Sequence, residues 1–362
     1  MPLLPFDPVR LGRIGLTPAL TERAVASACR FDEPLTLARL SGLHRETART
    51  HDGDAEASAR VRPRLVRDLT SARAALAVGD WVLVARDAHG EPWIAGCVPP
   101  STRIVRRDGD GVRHAVVSNV DRIVVVMGCE DDFNLRRLER YLAIACAAEV
   151  RAAVVLTKAD VVGEAAAAAR VAALQARIIE PLDVFAVDAT SASAATTLAP
   201  LLEPGSTLVL LGSSGAGKST LANTLLGRRA QDTGFVREHD GRGMHTTTAR
   251  SLHLLPGAAC LIDTPGLRTL RVDADESAVS ATFADVQALA LRCRFRDCTH
   301  GGEPGCAVRE AVDADRLRNF HKLLRETRRD ALGWLERRQQ VAAWKSRGKA
   351  ARVRMRMKRG DA

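Results

Sequence analysis

Aromatic side chains are scarce in this sequence. Phe, Trp and Tyr make up 4% of its 362 residues, and there is one tyrosine. This scarcity argues against a large base-stacking platform of the kind that binds single-stranded nucleic acid. Long apolar runs are also missing, since no segment approaches the roughly 20 apolar residues that cross a bilayer. Residues 1–15 lack the apolar segment and cleavage site of a secretory signal, so we expect a cytoplasmic protein without a membrane partner.

Length and composition predict a folded protein of several domains. A chain of 362 residues is long enough for two or three domains, and 46% hydrophobic with 27% charged residues is ordinary globular usage. The net charge of +10 is concentrated in residues 337–362, which hold ten Lys or Arg and one acid. Such a block is either a solvated end or an arm that seeks the phosphates of nucleic acid. The charge alone favours neither interpretation.

The chain divides into five predicted segments. Residues 1–35 show no clear period, and this N-terminal extension is left unassigned. Residues 36–115 alternate short strands with turns, which predicts a small β-barrel. Residues 116–285 alternate apolar strands with helices, which is typical of an α/β domain with helices on both faces of its sheet. A cysteine-rich helical domain at 286–340 and the basic tail at 341–362 follow.

Short apolar runs mark the predicted strands. In the barrel they lie on either side of the turn at 87–90, and in the α/β domain they recur between predicted helices. An alanine-rich stretch predicts a helix over 164–177. The predicted strands are 81–85, 92–96, 123–126, 152–156, 184–187, 208–211 and 260–262.

A glycine-rich loop carries the strongest chemical signal. It fits the pattern G-x-x-x-x-G-K-[ST], follows the strand at 208–211 and opens a helix that Gly227 can cap. In that setting backbone N–H groups wrap phosphates, and the helix N-terminus adds a favourable partial charge. We expect Lys218 to reach the β- and γ-phosphates and Ser219 to bind Mg²⁺. The loop consists of Gly212, Ser213, Ser214, Gly215, Ala216, Gly217, Lys218, Ser219 and Thr220.

A second motif bears on the choice of base. Thr157-Lys158-Ala159-Asp160 ends the strand at 152–156, and ligand loops gather at that end of the strands in open α/β sheets. The carboxylate of Asp160 can accept both the N1–H and the amino N–H of guanine, whereas adenine has no donor at N1. The stem of Lys158 can lie over the base. The commoner motif begins with Asn, and we expect Thr157 to loosen the packing of the loop or its affinity for guanine.

Two further segments complete the predicted pocket. Asp188 and Ala189 follow the strand at 184–187 and are candidates for the wall of the base pocket. Asp263-Thr264-Pro265-Gly266 fits the pattern D-x-x-G, in which Asp263 would bind Mg²⁺ through water and the Gly266 N–H would touch the γ-phosphate. The other interpretation of this tetrapeptide is a simple Pro-Gly turn. Its position on a strand after the P-loop helix favours the first.

The segment 231–245 is charged and rich in glycine, and it leads into the sequence His245-Thr246-Thr247-Thr248. A loop that ends in threonine suits a switch that closes on Mg²⁺ and the γ-phosphate. Thr247 is the favoured Mg²⁺ ligand, with Thr246 and Thr248 as alternatives. Many GTPases place a glutamine after D-x-x-G to orient the attacking water, but Leu267 stands there. We therefore expect slow intrinsic hydrolysis and name His245 as the candidate catalytic residue, with packing near the loop as the alternative.

The order of these motifs is informative. In an ordinary GTPase the base-reading Lys-x-Asp follows the P-loop and D-x-x-G, whereas here Asp160 precedes Gly212. Chain termini lie at surfaces and are often close together, so one sheet can be cut and rejoined elsewhere. The sequence therefore predicts a circularly permuted P-loop domain whose switch segments lead directly into the C-terminal region.

That region holds a cluster of metal-binding side chains. Cys293, Cys298, His300 and Cys306 lie within fourteen residues, between glycines that favour turns. Three thiolates and an imidazole at this spacing predict a closed, structural zinc site with one zinc per chain. The other cysteines stand among apolar neighbours and are interpreted as small buried side chains. They are Cys29, Cys97, Cys129, Cys146 and Cys260.

Taken together, these residues resemble the RsgA (YjeQ) family, the circularly permuted GTPases of small ribosomal subunit assembly. The resemblance spans nearly the whole chain after the first thirty-odd residues. Asp188, where the family often has Ser, joins Thr157 as a departure. Besides the motifs above, the resemblance rests on Gly79-Asp80-Trp81-Val82, Ser118-Asn119-Val120-Asp121, Phe133-Asn134, Arg140-Tyr141-Leu142, Cys298-Thr299-His300 and Glu303-Pro304-Gly305-Cys306-Ala307-Val308.

The resemblance implies an N-terminal OB-fold barrel, a central GTPase domain and a C-terminal zinc-binding helical domain. It also implies GTP hydrolysis with Mg²⁺ in late assembly of the small ribosomal subunit, with binding to its rRNA and stimulation by the subunit. We expect a monomer. Two other functions remain open: a P-loop ATPase with a zinc and RNA-binding module, and a non-hydrolytic RNA-binding assembly factor that the nucleotide locks in one conformation.

Overall fold

A computed structural model describes residues 4–44, 47–107, 112–178, 181–227, 250–264 and 274–331. Several predicted functional segments lie outside these ranges. They are the switch residues from His245 to Thr248, Gly266 with Leu267, and the basic tail at 341–362.

The unassigned N-terminal extension contains two short helices, α1 (Pro8–Gly12) and α2 (Pro18–Ala28). Each begins with proline, whose fixed φ suits the first helical position. The side chains of Asp7 and Thr17 accept hydrogen bonds from backbone N–H groups in the first turns. Leu11 is fully buried in the main hydrophobic core, so the extension packs against the rest of the chain.

The predicted barrel is confirmed. Its elements are β1 (Thr36–Leu43), β2 (Thr47–His51), β3 (Glu56–Val61), α3 (Pro63–Ser71), β4 (Trp81–Arg86) and β5 (Pro92–Cys97). The described strands follow the order β1-β2-β3-β5-β4, and an antiparallel pairing of β1 with β4 closes the ring. A closed five-stranded barrel of this kind is OB-like. A two-stranded ribbon, β6 (Arg103–Arg107) and β7 (Arg113–Ser118), then leads to the next domain.

The α/β domain is also confirmed, and each predicted apolar run coincides with a strand, although β10 ends one residue before the predicted run 184–187 does. Its elements are β8 (Arg122–Gly128), α4 (Leu135–Ala147), β9 (Arg151–Thr157), α5 (Ala159–Val162), α6 (Glu164–Arg177), β10 (Asp183–Ala186), α7 (Ser193–Thr197), a 3₁₀ turn (Ala199–Leu201), β11 (Thr207–Leu211), α8 (Lys218–Leu226), β12 (Ser251–Leu254) and β13 (Cys260–Asp263). The strand order is β10-β9-β8-β11-β13-β12, parallel except for β12. All five residues of β11 are buried, because the central strand is covered on both faces.

The barrel continues the sheet of the α/β domain. Strand β12 pairs with β13 on one side and, at Ser251 opposite Gly42, with β1 of the barrel on the other. The fully buried guanidinium of Arg39 reinforces this junction. It donates to the carbonyls of Gly79 (3.2 Å) and Asn119 (2.8 Å) and to the hydroxyl of Thr207 on β11 (2.9 Å). One side chain thus joins the barrel, the connecting segment and the P-loop strand.

The C-terminal region packs on α4 through a buried carboxylate. It contains α9 (Glu276–Thr282), α10 (Ala284–Ala290), α11 (Ala307–Ala311) and α12 (Ala314–Ala331). Glu139 of α4 has no exposed surface and accepts from Arg177 (2.7 Å), Arg316 (2.7 Å) and Asn319 (2.5 Å). Arg316 also donates to Asp285 (2.7 Å). A buried charge with several donors fixes how the elements meet, since removing one donor would leave part of that charge unpaired in the interior.

The structure tests two expectations, the absence of a membrane-spanning helix and the burial of the scattered cysteines. Within the described ranges, no helix combines the length and the apolarity needed to span a bilayer. Of the five scattered cysteines, Cys129 and Cys260 are buried as expected, and Cys97 and Cys146 are half-buried. The expectation is wrong for Cys29, which is exposed because it follows the last turn of α2.

Candidate nucleotide site and metal centre

The phosphate loop has the backbone form that its glycines predict. A side chain at Gly212 would place its Cβ 2.2 Å from the Val126 carbonyl of the neighbouring strand. Gly217 has φ +85°, and a Cβ there would lie 3.1 Å from the Thr157 hydroxyl. Helix α8 begins at Lys218 and ends at Leu226, and Gly227 follows with a φ of +64° as the C-terminal cap that was predicted. A side chain at 212 would collide with backbone, and the left-handed φ favours glycine at 217, so both glycines are needed for this loop conformation.

Thr157 fastens the base-reading loop to the phosphate loop. This residue is fully buried, and its hydroxyl donates to the Ala216 carbonyl at 2.7 Å. The threonine thus makes a direct bond between the two loops, and the expected effect of replacing asparagine on packing or guanine affinity stays a prediction. Lys158 next to it has φ +60°, a left-handed conformation that turns the chain sharply into α5. Asp160 is exposed and borders a cavity of about 480 Å³ between α5, α6 and β10.

Two acidic residues that the sequence analysis missed support these loops. Glu130 and Asp132 lie in the turn after β8, between the strands that carry the two motifs. Lys158 donates to Glu130 at 2.9 Å, and this hydrogen bond raises the pKa of the lysine. Asp132 accepts from the hydroxyl of Ser213 in the phosphate loop and from the Gly128 N–H at 3.1 Å. No motif marks either residue, because the loop partners Lys158 and Ser213 are distant in sequence.

The segment at Asp188 is tied to the same framework. The Asp188 carboxylate accepts from both the N–H (2.8 Å) and the hydroxyl (2.7 Å) of Thr190, and the hydroxyl bond lowers its pKa. The Ala189 carbonyl accepts from Thr224 of the P-loop helix at 2.7 Å. The Ala159 N–H donates to the Val187 carbonyl at 3.3 Å. Three loops from β9, β10 and β11 therefore meet at one end of the sheet.

The predicted Mg²⁺ side of the site is partly described. Asp263 ends β13, which lies beside β11, and is 9% exposed. Burial raises the pKa of Asp263, while the Thr264 N–H and the charge of Lys218 lower it. The ammonium of Lys218 donates to the carbonyls of Gly212 (2.8 Å) and Ser213. Because β11 and β13 are parallel neighbours, Asp263 and Ser219 lie at the same edge of the sheet. His245, Thr247 and Gly266 lie outside the described residues.

The predicted metal ligands come together. The side-chain donor atoms of Cys293, Cys298, His300 and Cys306 all lie within 4.8 Å of one another. The His300 Nδ1 is 3.7 Å from the Cys293 sulfur and 3.5 Å from the Cys306 sulfur, and those two sulfurs are 4.0 Å apart. Zinc with bonds of about 2.0–2.3 Å would hold tetrahedral ligands about 3.5–3.8 Å apart. The donor chemistry and the spacing both fit a closed tetrahedral site.

A carboxylate holds the turn that presents the histidine. Glu303 accepts from the Thr299 N–H (2.9 Å) and hydroxyl (2.5 Å) and from the N–H groups of Gly301 (2.8 Å) and Gly302 (2.9 Å). These hydrogen bonds hold the pKa of Glu303 well below its usual range, and the bond from the Thr299 hydroxyl has the largest effect. His300 lies inside this turn with φ +60°. The glutamate therefore organises the backbone around a candidate ligand without being one.

This sheet and these loops define a P-loop GTPase whose parts follow one another in a circularly permuted order. The model of the RsgA GTPase family matches residues 98–273. The small ribosomal subunit biogenesis GTPase RsgA 2 of Vibrio vulnificus is 42% identical over 280 residues, which cover 74% of this chain and 76% of the relative. The small ribosomal subunit biogenesis GTPase RsgA of Opitutus terrae is 42% identical over 308 residues, 80% of this chain and 83% of the relative. The chain belongs to the RsgA GTPase family.

Solved structures agree on the fold. YjeQ from Thermotoga maritima matches with a TM-score of 0.58 at 21% identity, over 80% of this chain and 98% of that structure. YloQ, described as a circularly permuted GTPase, matches with a TM-score of 0.56 at 19% identity, over 81% of this chain and 95% of that structure. These structural similarities support the same fold, even though the two sequences are only 21% and 19% identical to this chain.

Proposed function

We propose that this protein hydrolyses GTP to GDP and phosphate during late assembly of the small ribosomal subunit. Its relatives carry the name of small ribosomal subunit biogenesis GTPases. The observation that carries the enzymatic part is the hydrogen bond from Thr157 to Ala216, which holds a base-reading loop against a phosphate loop. Nucleotide affinity is higher when the two loops are already positioned relative to each other, because ordering them on binding would cost free energy.

Base selection is assigned to the loop from Thr157 to Asp160, with Ala189 and Asp188 as the opposite wall. The exposed carboxylate of Asp160 has two acceptor oxygens for the two donors of guanine. Adenine would leave one of them without a donor, and polar sites reject such ligands strongly. The alternative of a P-loop ATPase with a zinc and RNA-binding module predicts the opposite preference.

Phosphate and Mg²⁺ binding is assigned to the loop from Gly212 to Thr220. Lys218 would exchange its present carbonyl partners for the β- and γ-phosphates, and Ser219 and Asp263 would hold Mg²⁺, Asp263 through water. The metal would neutralise charge on the transferred phosphoryl group. The buried position of Asp263 supports this role, because a nearby cation would stabilise its ionised form. Thr247 as the switch ligand and the Gly266 N–H complete the set as sequence-based proposals.

We assign the activation of the attacking water to the switch segment that ends in His245 to Thr248. Leu267 can neither accept nor donate, so the intrinsic reaction should be slow. We assign the orientation of water to His245 as a neutral imidazole, brought to the site when the small subunit closes the switch. The subunit would then act as the activator of its own assembly factor.

The cysteine and histidine cluster is assigned to one structural zinc per chain. Three thiolates and one imidazole leave no open position for a catalytic water, so the metal would stabilise the C-terminal region. This region, the barrel and the basic tail are the proposed contacts with rRNA, and the protein is expected to be a cytoplasmic monomer. Phosphate contacts predict binding that weakens as salt is raised.

The deciding experiment is GTP turnover with and without purified small ribosomal subunits. We expect slow basal hydrolysis and clear stimulation by the subunits. Faster turnover of ATP than of GTP would favour the ATPase alternative. Tight GTP binding without multiple turnover under either condition would favour a non-hydrolytic assembly factor.

A further inference from the structure

A small apolar surface stands next to the metal centre. Leu291 is 89% exposed and is the most exposed large hydrophobic side chain in the described part of the protein. Phe295 is 41% exposed and is the one aromatic ring among the exposed large hydrophobic residues there. Single exposed apolar residues are ordinary, but these two flank the candidate metal ligand Cys293 in the sequence, each two residues away from it.

Three exposed arginines flank these two residues in the sequence. Arg292, Arg294 and Arg296 alternate with the two apolar residues and are exposed. The Arg294 guanidinium carbon lies 5.5 Å from the centroid of the Phe295 ring. No ion pair joins any of the three arginines to a carboxylate within the described ranges. Asp297 is the single acid between 291 and 297, so the surface combines a ring face with a strong positive field.

Two backbone hydrogen bonds fix the segment that carries the ring. Phe295 lies between two cluster residues, Cys293 and Cys298, and its carbonyl accepts from the Cys298 N–H at 3.3 Å. The Arg294 N–H donates to the Gly305 carbonyl at 3.1 Å, across the knuckle. A backbone fixed in this way loses little conformational entropy when a ligand binds.

We propose that Leu291, Phe295 and the three arginines form a docking surface for an unpaired RNA nucleotide. The base stacks on the Phe295 ring against Leu291, and the flanking phosphates pair with the arginines. This inference rests on the proposed function, since it names the kind of RNA segment that the C-terminal region recognises. We call these five residues the knuckle surface.

The size and charge of the knuckle surface favour RNA as its ligand over a protein partner and over the chain's own basic tail. A specific protein partner needs roughly 800 Å² on each side, whereas two apolar side chains cover about one or two bases. The chain's own tail from 337 onward is strongly basic, so the arginines would repel it. A duplex hides its base faces in the stack, so the ring selects a loop, bulge or single strand.

The test compares RNA binding by the full-length protein and its variants at fixed salt. The probes are a labelled single-stranded oligonucleotide, a hairpin duplex of equal length, and purified small subunits. We expect Phe295→Ala to weaken binding of the single strand about 5- to 100-fold, with a smaller change for the duplex. Phe295→Trp should restore binding, because a larger ring stacks at least as well. Val25→Ala, at another exposed apolar position, is the matched control and should change nothing.

Metal content and basal GTP turnover should be the same in all variants, which separates a lost contact from a lost fold. Equal binding of the single strand by Phe295→Ala and the parent would overturn the inference. So would loss of subunit binding with unchanged oligonucleotide binding, which would assign the surface to a protein partner. A parent protein that binds neither subunits nor GTP would instead contradict the proposed function.

Discussion

The hydrogen bond between Thr157 and Ala216 is the most direct test of how the nucleotide site is built. Thr157→Val keeps the shape of the side chain and removes only the hydroxyl. The Ala216 carbonyl, bonded at 2.7 Å in the present structure, then loses its donor in a buried position. An unsatisfied buried group of this kind costs about 1–3 kcal/mol. If the cost is borne when the two loops close on a nucleotide, GTP affinity falls about 5- to 150-fold.

The assay is titration of a fluorescent guanine nucleotide, together with the denaturant midpoint of unfolding. Thr50→Val is the matched control, because Thr50 donates to the Ala57 carbonyl at 3.2 Å within the barrel, away from the site. It should lower the midpoint and leave nucleotide affinity unchanged. Thr157→Ser, which keeps the hydroxyl, should retain affinity. If Thr157→Val binds GTP as tightly as the parent does, the two loops are positioned by other contacts and the argument fails.

Three further outcomes are expected. Asp160→Asn should reduce the preference for GTP over ATP about 10- to 100-fold in competition binding, because the amide replaces one acceptor with a donor; undiminished selectivity would remove Asp160 from the base pocket. Protein prepared without chelators should hold about one zinc per chain by elemental analysis, and Cys298→Ser should lose it while nucleotide affinity is largely kept; metal-free parent protein would exclude the zinc proposal. His245→Ala should bind GTP normally but lose about 100-fold of the subunit-stimulated rate, and a variant stimulated as well as the parent would place water orientation elsewhere.

Sequence patterns predicted correctly those features that depend on a few neighbouring residues. Helix α6 occupies the alanine-rich stretch from 164 to 177 without a change of bounds, and Gly227 caps α8 as its position indicated. Helix propensity and glycine caps act over a few residues, so a single sequence displays them. Helices α1 and α2 were missed although Asp7 and Thr17 precede prolines, since their periodic apolar signal is short.

The rest depended on contacts between distant residues. Glu130 and Asp132 look like surface acids until β8 places them between Lys158 and Ser213. Glu139 resembles any helical glutamate, yet donors from α6 and α12 surround it in the interior. The partner of Thr157 was not predicted for the same reason, because Ala216 lies 59 residues later. Patterns reveal which side chains can act, whereas topology decides which of them meet.

The shared sheet has a consequence for any attempt to divide this protein. Strand β12 is hydrogen-bonded to β13 within the α/β domain and to β1 of the barrel. A truncated chain that began after the barrel would leave β12 with an open edge of unpaired N–H and C=O groups. Such edges recruit strands from other molecules, so the fragment would tend to aggregate. The barrel therefore also covers an edge of the α/β sheet that would otherwise be open.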